Sequence, residues 1–525
     1  MAQPKESLGI SLLKKGRRGF FTAIFSRLGL FILLLILQVL LLFSVFIWCG
    51  DFLPHIYGTA IAFTIIMVLY LLNSRIDPTA KITWLVVITL FPIFGALFFL
   101  YTQTDIGHRA LKARTHQLTE LTKDKILQCP ETMQALQNTQ PGVAALSRYI
   151  TRNACYPVYT NTQVTYFPLG EAKFEELLRQ LEKAEKFIFM EYFIINEGIM
   201  WGRVLEILAR KAAQGVDVRV MYDGTCEFSA LPHNYPQRLK KLGIQCKMFA
   251  PLSPFISTHY NYRDHRKILV IDGHTAFNGG INLADEYINK YERFGHWKDT
   301  AVMLKGDAVR SFTLMFLQMW SIEEHNPEFD RFLCVPSCPQ KQAQGFVLPY
   351  GDCPLDSDKI GEQVYIDILN RAQRYVHIMT PYLILDGEME NALKFAAERG
   401  VDVRIILPGI PDKKIPYALA FTHYASFLEC GVKIYEYTPG FVHAKCFISD
   451  DREAVVGTIN LDYRSLYHHF ECATYMYGVD CISDIETDFL ETQQKCRTIT
   501  TKTMKKEKLS RKITGVLMKF IAPLL

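Results

Sequence analysis

HRKILVIDGHTAFNGGIN, residues 265–282, and HAKCFISDDREAVVGTIN, residues 443–460, carry His, Lys, Asp, Gly and Asn at the same internal spacing. The offset between them is 178 residues (443 − 265). A second shared phrase, GVDVR, stands upstream of each, at Gly215–Arg219 and Gly400–Arg404, with an offset of 185. Two repeats in the same order at nearly one offset predict a duplicated domain.

Around these phrases, short β-rich runs alternate with amphipathic helices. Phe187–Ile195 and Val216–Tyr222 read as buried strands, flanked by helices over Ala172–Glu185 and Met200–Gln214. Tyr375–Ile384, Glu388–Arg399 and Val401–Leu407 repeat the strand, helix and strand. The expected class is α/β: two duplicated sandwich domains with mixed, largely parallel sheets covered by helices on both faces. The domains are placed at 104–325 and 358–500, with a linker at 326–357 rich in Pro and Cys.

Alternation along a strand puts the His and Lys of H-x-K on one face. An imidazole beside a fixed ammonium suits a phosphate: Lys neutralises non-bridging oxygens while His attacks phosphorus or protonates a leaving oxygen. The following G-x-x-N can bring an amide donor to the same phosphate. Two facing halves supply two imidazoles, enough for a covalent phospho-histidine with acid–base help. The candidate catalytic set is His265, Lys267, Asp272, His443, Lys445 and Asp450, the two Asp expected in a structural or orienting role. Asn282 and Asn460 are the candidate phosphate ligands. His259, Arg263 and Arg464 are weaker candidates. His468 and His469 lack the further ligands of a metal site.

The rest of the chain bounds the setting. It has 525 residues and a net charge of +5 (58 Lys+Arg against 53 Asp+Glu), too slight to mark a nucleic-acid binder. Thirteen cysteines without a C-x-x-C argue against a structural zinc and for a reducing compartment. Mean hydropathy is +0.07, and the apolar excess lies before residue 103. Leu28–Trp48 is long enough for an uncleaved anchor. Ile56–Leu72 is shorter, and Ile82–Tyr101 is interrupted by Pro92 and Gly95. The membrane region is therefore 28–103, with two or three crossings. A basic tail, 1–27, precedes it and faces the cytoplasm by the positive-inside rule. Three full crossings would put the rest of the chain outside, against the basic residues after Tyr101 and the free thiols; a re-entrant third run is the other reading. At 501–525 lysines and arginines interleave with Val516, Leu517, Phe520 and Ile521, as in an amphipathic helix on an anionic membrane.

With its two H-x-K-x4-D motifs the chain resembles the phospholipase D superfamily, and its bacterial cardiolipin synthase branch most closely. RIDPTAKITWLVVITLFPIFG is similar to that branch's membrane region. WKDTAV, TPYLILDGE and GTINLDYRSLYHHFE are similar to its active-site segments. The resemblance implies metal-free, cofactor-free ping-pong transfer. One His takes a phosphatidyl group from phosphatidylglycerol, and the hydroxyl of a second phosphatidylglycerol receives it, giving cardiolipin and glycerol. It implies His265 as nucleophile, His443 as general acid, and Asp299 and Glu471 as the acids that orient the imidazoles. It implies a multi-pass protein of the bacterial cell membrane, with its catalytic domains on the cytoplasmic side and anionic lipids as partners. His469 stands where many relatives carry Asn. A phospholipase D-type hydrolase or an anchored phosphodiesterase or nuclease would use the same motifs.

Overall fold

The computed structural model describes residues 57–522, apart from 75, 77, 104–105, 233, 252–261, 338, 341 and 357, together with positions 40, 43, 44 and 47. Most of the Leu28–Trp48 run, the basic tail 1–27 and His259 lie outside the described residues.

The first half builds one sheet from β1 (Thr162–Phe167), β2 (Phe187–Tyr192), β3 (Asp217–Asp223), β4 (Gln245–Phe249), β6 (Lys267–Ile271), β7 (Thr275–Gly279) and β9 (Ala301–Gly306), in the order β1-β9-β7-β6-β2-β3-β4. Two short strands, β5 (Arg263–Asp264) and β8 (His296–Lys298), stand apart from it. The second half has β10 (Phe346–Asp352), β11 (Tyr375–Met379), β12 (Leu383–Ile384), β13 (Asp402–Pro408), β14 (Lys433–Tyr437), β15 (Gly440–Val442), β16 (Cys446–Ser449), β17 (Glu453–Gly457), β18 (Leu461–Asp462), β19 (His469–Tyr477) and β20 (Cys496–Thr498). Its sheet runs β10-β19-β17-β16-β11-β13-β14-β20. Strand for strand this is the first order with one strand added, so the duplication extends to topology.

The sheets are mixed but not largely parallel. Among the described residues, on the main path of each sheet only two ladders are parallel, those of β2–β3–β4 and of β11–β13–β14; the others on the path are antiparallel. The parallel strands are those joined through crossover helices such as Ile199–Ala213 and Gly387–Glu398. The motif strands are joined by tight turns, Asp272–His274 and Asp450–Arg452, which only antiparallel neighbours can use.

One apolar core runs through both halves, including Phe189, Val270 and Phe316 from the first and Val347, Val455 and Tyr475 from the second. A second cluster, with Leu177, Ile188, Trp201 and Val220, fills the other face of the first sheet. The halves are also stitched by backbone. β5 pairs in parallel with β19, and β8 with β15.

Near the N-terminus, helices Tyr57–Asn73, Pro78–Leu90 and Pro92–Gln103 enclose a small cluster of Met67, Leu71, Trp84, Ile88, Ala96 and Phe99. The Ile82–Tyr101 run is not one crossing. In a continuous helix Trp84 and Phe99 would be about 22 Å apart, yet their rings are 5.2 Å apart. The chain folds back at Phe91, where Pro92 cannot continue the hydrogen-bond ladder and Gly95 lets the second helix approach the Val87 carbonyl. Among the described residues no helix is long and apolar enough to cross a membrane. The outside of this bundle is nonetheless apolar, with Ile65, Ile66, Leu69, Leu72, Ile82 and Leu97 exposed.

Candidate active site

His265 sits between β5 and β6, and His443 between β15 and β16. Each is fixed by its own backbone to the opposite half: His265 N–H donates to the Phe470 carbonyl (3.0 Å), and His443 N–H to the Lys298 carbonyl (2.7 Å). The residue one further along in each partner segment is an acid. Glu471 thereby meets His265, with Nδ1 2.9 and 3.0 Å from its two carboxylate oxygens. Asp299 meets His443, with Nδ1 2.6 Å from Oδ2. Each of the two acids thus hydrogen-bonds the His of the other half. Both carboxylates are fully buried.

The lysines are equally symmetric. Lys267 Nζ donates to the carbonyl of His265, and Lys445 Nζ to that of His443. Both are almost completely buried. Burial pushes the Lys267 ammonium down to about 8 and Lys445 to about 7; Asp299 and Glu471 oppose the shift in both. Lys267 also depresses Lys445 and His443, so the four motif side chains share one electrostatic neighbourhood. Burial first, then Lys445, takes His443 to about 4; burial holds His265 well below the usual imidazole range. Burial would raise Glu471, but His265 and His469 hold it below the ordinary carboxylate range; His443 and Lys445 do the same for Asp299. The resting pattern is a neutral imidazole donating Nδ1–H to an ionised carboxylate, twice, with Nε2 left as the basic atom.

Asp272 and Asp450 do not join this cluster. Each lies five residues beyond its Lys, about 16 Å along an extended strand. The Asp272 carboxylate accepts from the backbone N–H of Glu185, Lys186 and Phe187. Asp450 accepts from Gln373, Arg374 and Tyr375. Both have positive φ, 53° and 54°, a conformation Asp tolerates better than most residues. The motif places them in the candidate catalytic set, but their contacts are structural: they tie the β6–β7 and β16–β17 turns to the starts of β2 and β11.

The asparagines close the loops after β7 and β17. Asn282 Oδ1 accepts from Ile194 N–H (3.0 Å), and its Nδ2 donates to Tyr287 Oη (2.8 Å). Asn460 Nδ2 donates to Asp462 (3.3 Å), while its buried Oδ1 has no hydrogen-bond partner among the described residues. Both amides brace these loops. Arg263 is committed to the Ala250 carbonyl and lies 3.7 Å from Asp223; Arg464 is exposed on the turn that follows β18.

Several neighbours are not in the candidate set read from the sequence, where His469 is named only as half of a metal pair and as a departure from the relatives. Thr458 Oγ1 donates to Glu471. Arg266, the middle residue of the first motif, points the other way and donates to the Glu471 carbonyl (3.0 Å); strand alternation alone could have flagged it. His469 lies 3.5 Å from Glu471, its ring 5.2 Å from His265, at the end of a π-helical turn, Arg464–His468. Lys173, buried in helix Gly170–Leu181, donates to the Ile281 carbonyl and to Tyr192 Oη (both 3.3 Å). Phe193 packs on His265, and Tyr287 and Trp297 on His443. Aromatic rings thus cover one side of each imidazole, while the rest of its surroundings are buried charged and polar groups.

The family model "Cardiolipin synthase, PLD-like domain" matches twice, over residues 177–320 and 365–492, and "Phospholipase D-nuclease N-terminal" matches 62–101. An uncharacterized protein of Streptococcus mutans is 60% identical over 87% of this chain and 99% of its own. A cardiolipin synthase of Halalkalibacterium halodurans is 33% identical over 89% of this chain and 93% of its own; one of Geobacillus sp. is 34% identical over 85% and 89%. In fold, the crystal structure of phosphatidylserine synthase from Haemophilus influenzae aligns with TM-score 0.53 and 16% identity, over 69% of this chain and 93% of that one.

Proposed function

The chain belongs to the cardiolipin synthase family of phospholipase D-like proteins, and from that premise we propose that it makes cardiolipin from two phosphatidylglycerols through a phosphatidyl-histidine. The observation that carries the reading is the pair of imidazoles, each donating Nδ1–H to a buried carboxylate of the other half beside a buried lysine. His265 Nε2 attacks phosphorus, and the bond to the glycerol oxygen breaks as His443 delivers a proton to it. The charge of the diester offsets Lys267 and Lys445 and, with Asp299, favours the imidazolium form of His443 that this step needs. Neutral His443 then takes the proton of the incoming lipid hydroxyl, whose oxygen displaces His265 from phosphorus. Lys267 and Lys445 hold the non-bridging oxygens throughout. Asn282 and Asn460 turn toward the phosphate once the ligand competes for their amides. No step calls on a metal or cofactor.

The fold-back of Pro78–Leu90 on Pro92–Gln103 fits a membrane region that returns the chain to the cytoplasmic side: Leu28–Trp48 and Ile56–Leu72 cross, and the third run is re-entrant. The test of function is product analysis. Purified protein in phosphatidylglycerol vesicles is expected to give cardiolipin and glycerol in equal amounts. Mostly phosphatidic acid would replace the synthase by a hydrolase.

A further inference from the structure

The C-terminal helix Leu509–Ile521 has two apolar faces, and among the described residues only one of them is packed inside the protein. The inner face packs on helix Lys414–Glu429. Gly515 sits so close that a Cβ there would lie 2.4 Å from the Ala418 carbonyl oxygen, and Arg511 lies over the Tyr417 ring. Met518 and Ala522 join Leu419 and Tyr463 in a small buried cluster. The other face carries Leu509, Ile513, Val516 and Leu517, which are 71, 51, 69 and 67% exposed. At 100° per residue these four fall in one stripe, and Lys508, Lys512 and Lys519 form a row along one edge of it. No acid occurs within the helix; Glu507, just before it, pairs with Arg511 instead. Among the described residues none of the three lysines has a carboxylate partner.

We propose that this outward face seats on the surface of an anionic bilayer, apolar stripe among the acyl chains and lysine row against the headgroup phosphates. A second copy of the chain fits less well, because a symmetric pairing of the stripe would bring like charges together. The position gives the contact a purpose. The inner face of the helix packs on Tyr463, which follows Asn460 by three residues and begins the turn leading to His469 and Glu471. Seating the helix turns that rim of the active site toward lipid. The inference deepens the synthase reading and rests on it for the identity of the substrate; the seating itself does not depend on catalysis.

The test uses the full chain in phosphatidylglycerol or phosphatidylcholine vesicles, with a benzophenone amino acid at position 516. Lipid adducts are expected in phosphatidylglycerol, falling about fivefold for each of Lys508, Lys512 and Lys519 changed to Gln. Cross-linking to a second copy, no lipid adduct, or equal adducts in both lipids overturns the proposal. In parallel, the double change Val516→Asp, Leu517→Asp should slow glycerol release from vesicles about tenfold while release from a short-chain phosphatidylglycerol in free solution stays within about twofold. Equal losses on the two substrates, or none on vesicles, also overturn it. Absence of glycerol release from either substrate in the unaltered protein would strike the synthase reading instead, leaving the cross-link to decide the seating.

Discussion

Around His443 the hydrogen-bonded carboxylate is Asp299, packed under Gly280 and, among the described residues, otherwise bonded only to the Thr300 N–H (2.8 Å). Around His265 it is Glu471, which also receives the Thr458 hydroxyl and lies beside His469. Gly280 and Thr458 occupy the same place in the two repeats, GGIN and GTIN. A Cβ at Gly280 would lie 2.1 Å from Asp299 Oδ1, so the first half gives to a carboxylate the space the second gives to a hydroxyl. The halves share a fold, yet their carboxylates are not equivalent. Asp299 concentrates its charge on one imidazole at 2.6 Å, which supports an imidazolium and hence a proton donor. Glu471 divides its charge among several donors and supports His265 less strongly as a cation, which suits a neutral nucleophile.

The largest effect should come from removing either imidazole. His265→Ala and His443→Ala are each expected to lose at least about 10⁴ in turnover. Quenched reactions on labelled lipid should show phospho-enzyme in His443→Ala and none in His265→Ala; the opposite pattern would exchange the roles. Next come the acids, with losses of about 10² to 10⁴. Because they cross over, Glu471→Gln should suppress formation of the phospho-enzyme and Asp299→Asn should make it decay slowly. Were each acid to serve its own half, those two patterns would change places.

The backing residues should be unequal. Gly280→Thr pushes Asp299 off His443 and is expected to cost about 10² in turnover. Thr458→Gly removes one hydrogen bond, for about three- to tenfold. Similar losses from both would mean that the two carboxylates are equivalent after all. Milder again is pH. Burial pushes Lys267 down to about 8 and Lys445 to about 7, so their charge is lost as pH rises through that window. A phosphodiester keeps its single charge there. Its affinity should therefore fall by about tenfold or more from pH 6.5 to 9, with proton uptake on binding near pH 8, both measurable by calorimetry. Lys445→Met should flatten the lower part of that profile. The smallest change in catalysis is expected from Asp272→Ala and Asp450→Ala. Each should lower stability by about 1.5–3 kcal/mol in thermal unfolding, while turnover per folded molecule stays within about twofold.

The duplication was legible because the repeats fix strand identity: the same five residue types at one spacing force the same hairpin twice. Strand direction was less so, since tight turns and crossover helices leave different ladders while the apolar runs look alike. Spacing also could not separate Asp272 and Asp450 from the reacting groups. Both belong to the motif by sequence yet lie at the far end of their strands, and only the three backbone N–H groups gathered by each carboxylate show its task. Asp299 and Glu471 could be picked out, but not which His each would meet. That depends on how two sheets face one another, a long-range fact with no local signature. The break in Ile82–Tyr101 was visible in Pro92 and Gly95, whereas the return path needed the packing of Trp84 on Phe99.

The backbone stitches β5–β19 and β8–β15 have the form of an isologous contact: patch a of one unit meets patch b of the other, and b meets a. A single half carries an imidazole and an acid that cannot reach each other, so it is inert alone and complete only when paired with its like. Such a unit is a monomer that must find a twin. Joining the two copies on one chain removes the search, since the twin is always present at high effective concentration. It also lifts the requirement that both copies be identical, and Gly280 opposite Thr458 is that freedom written into the sequence.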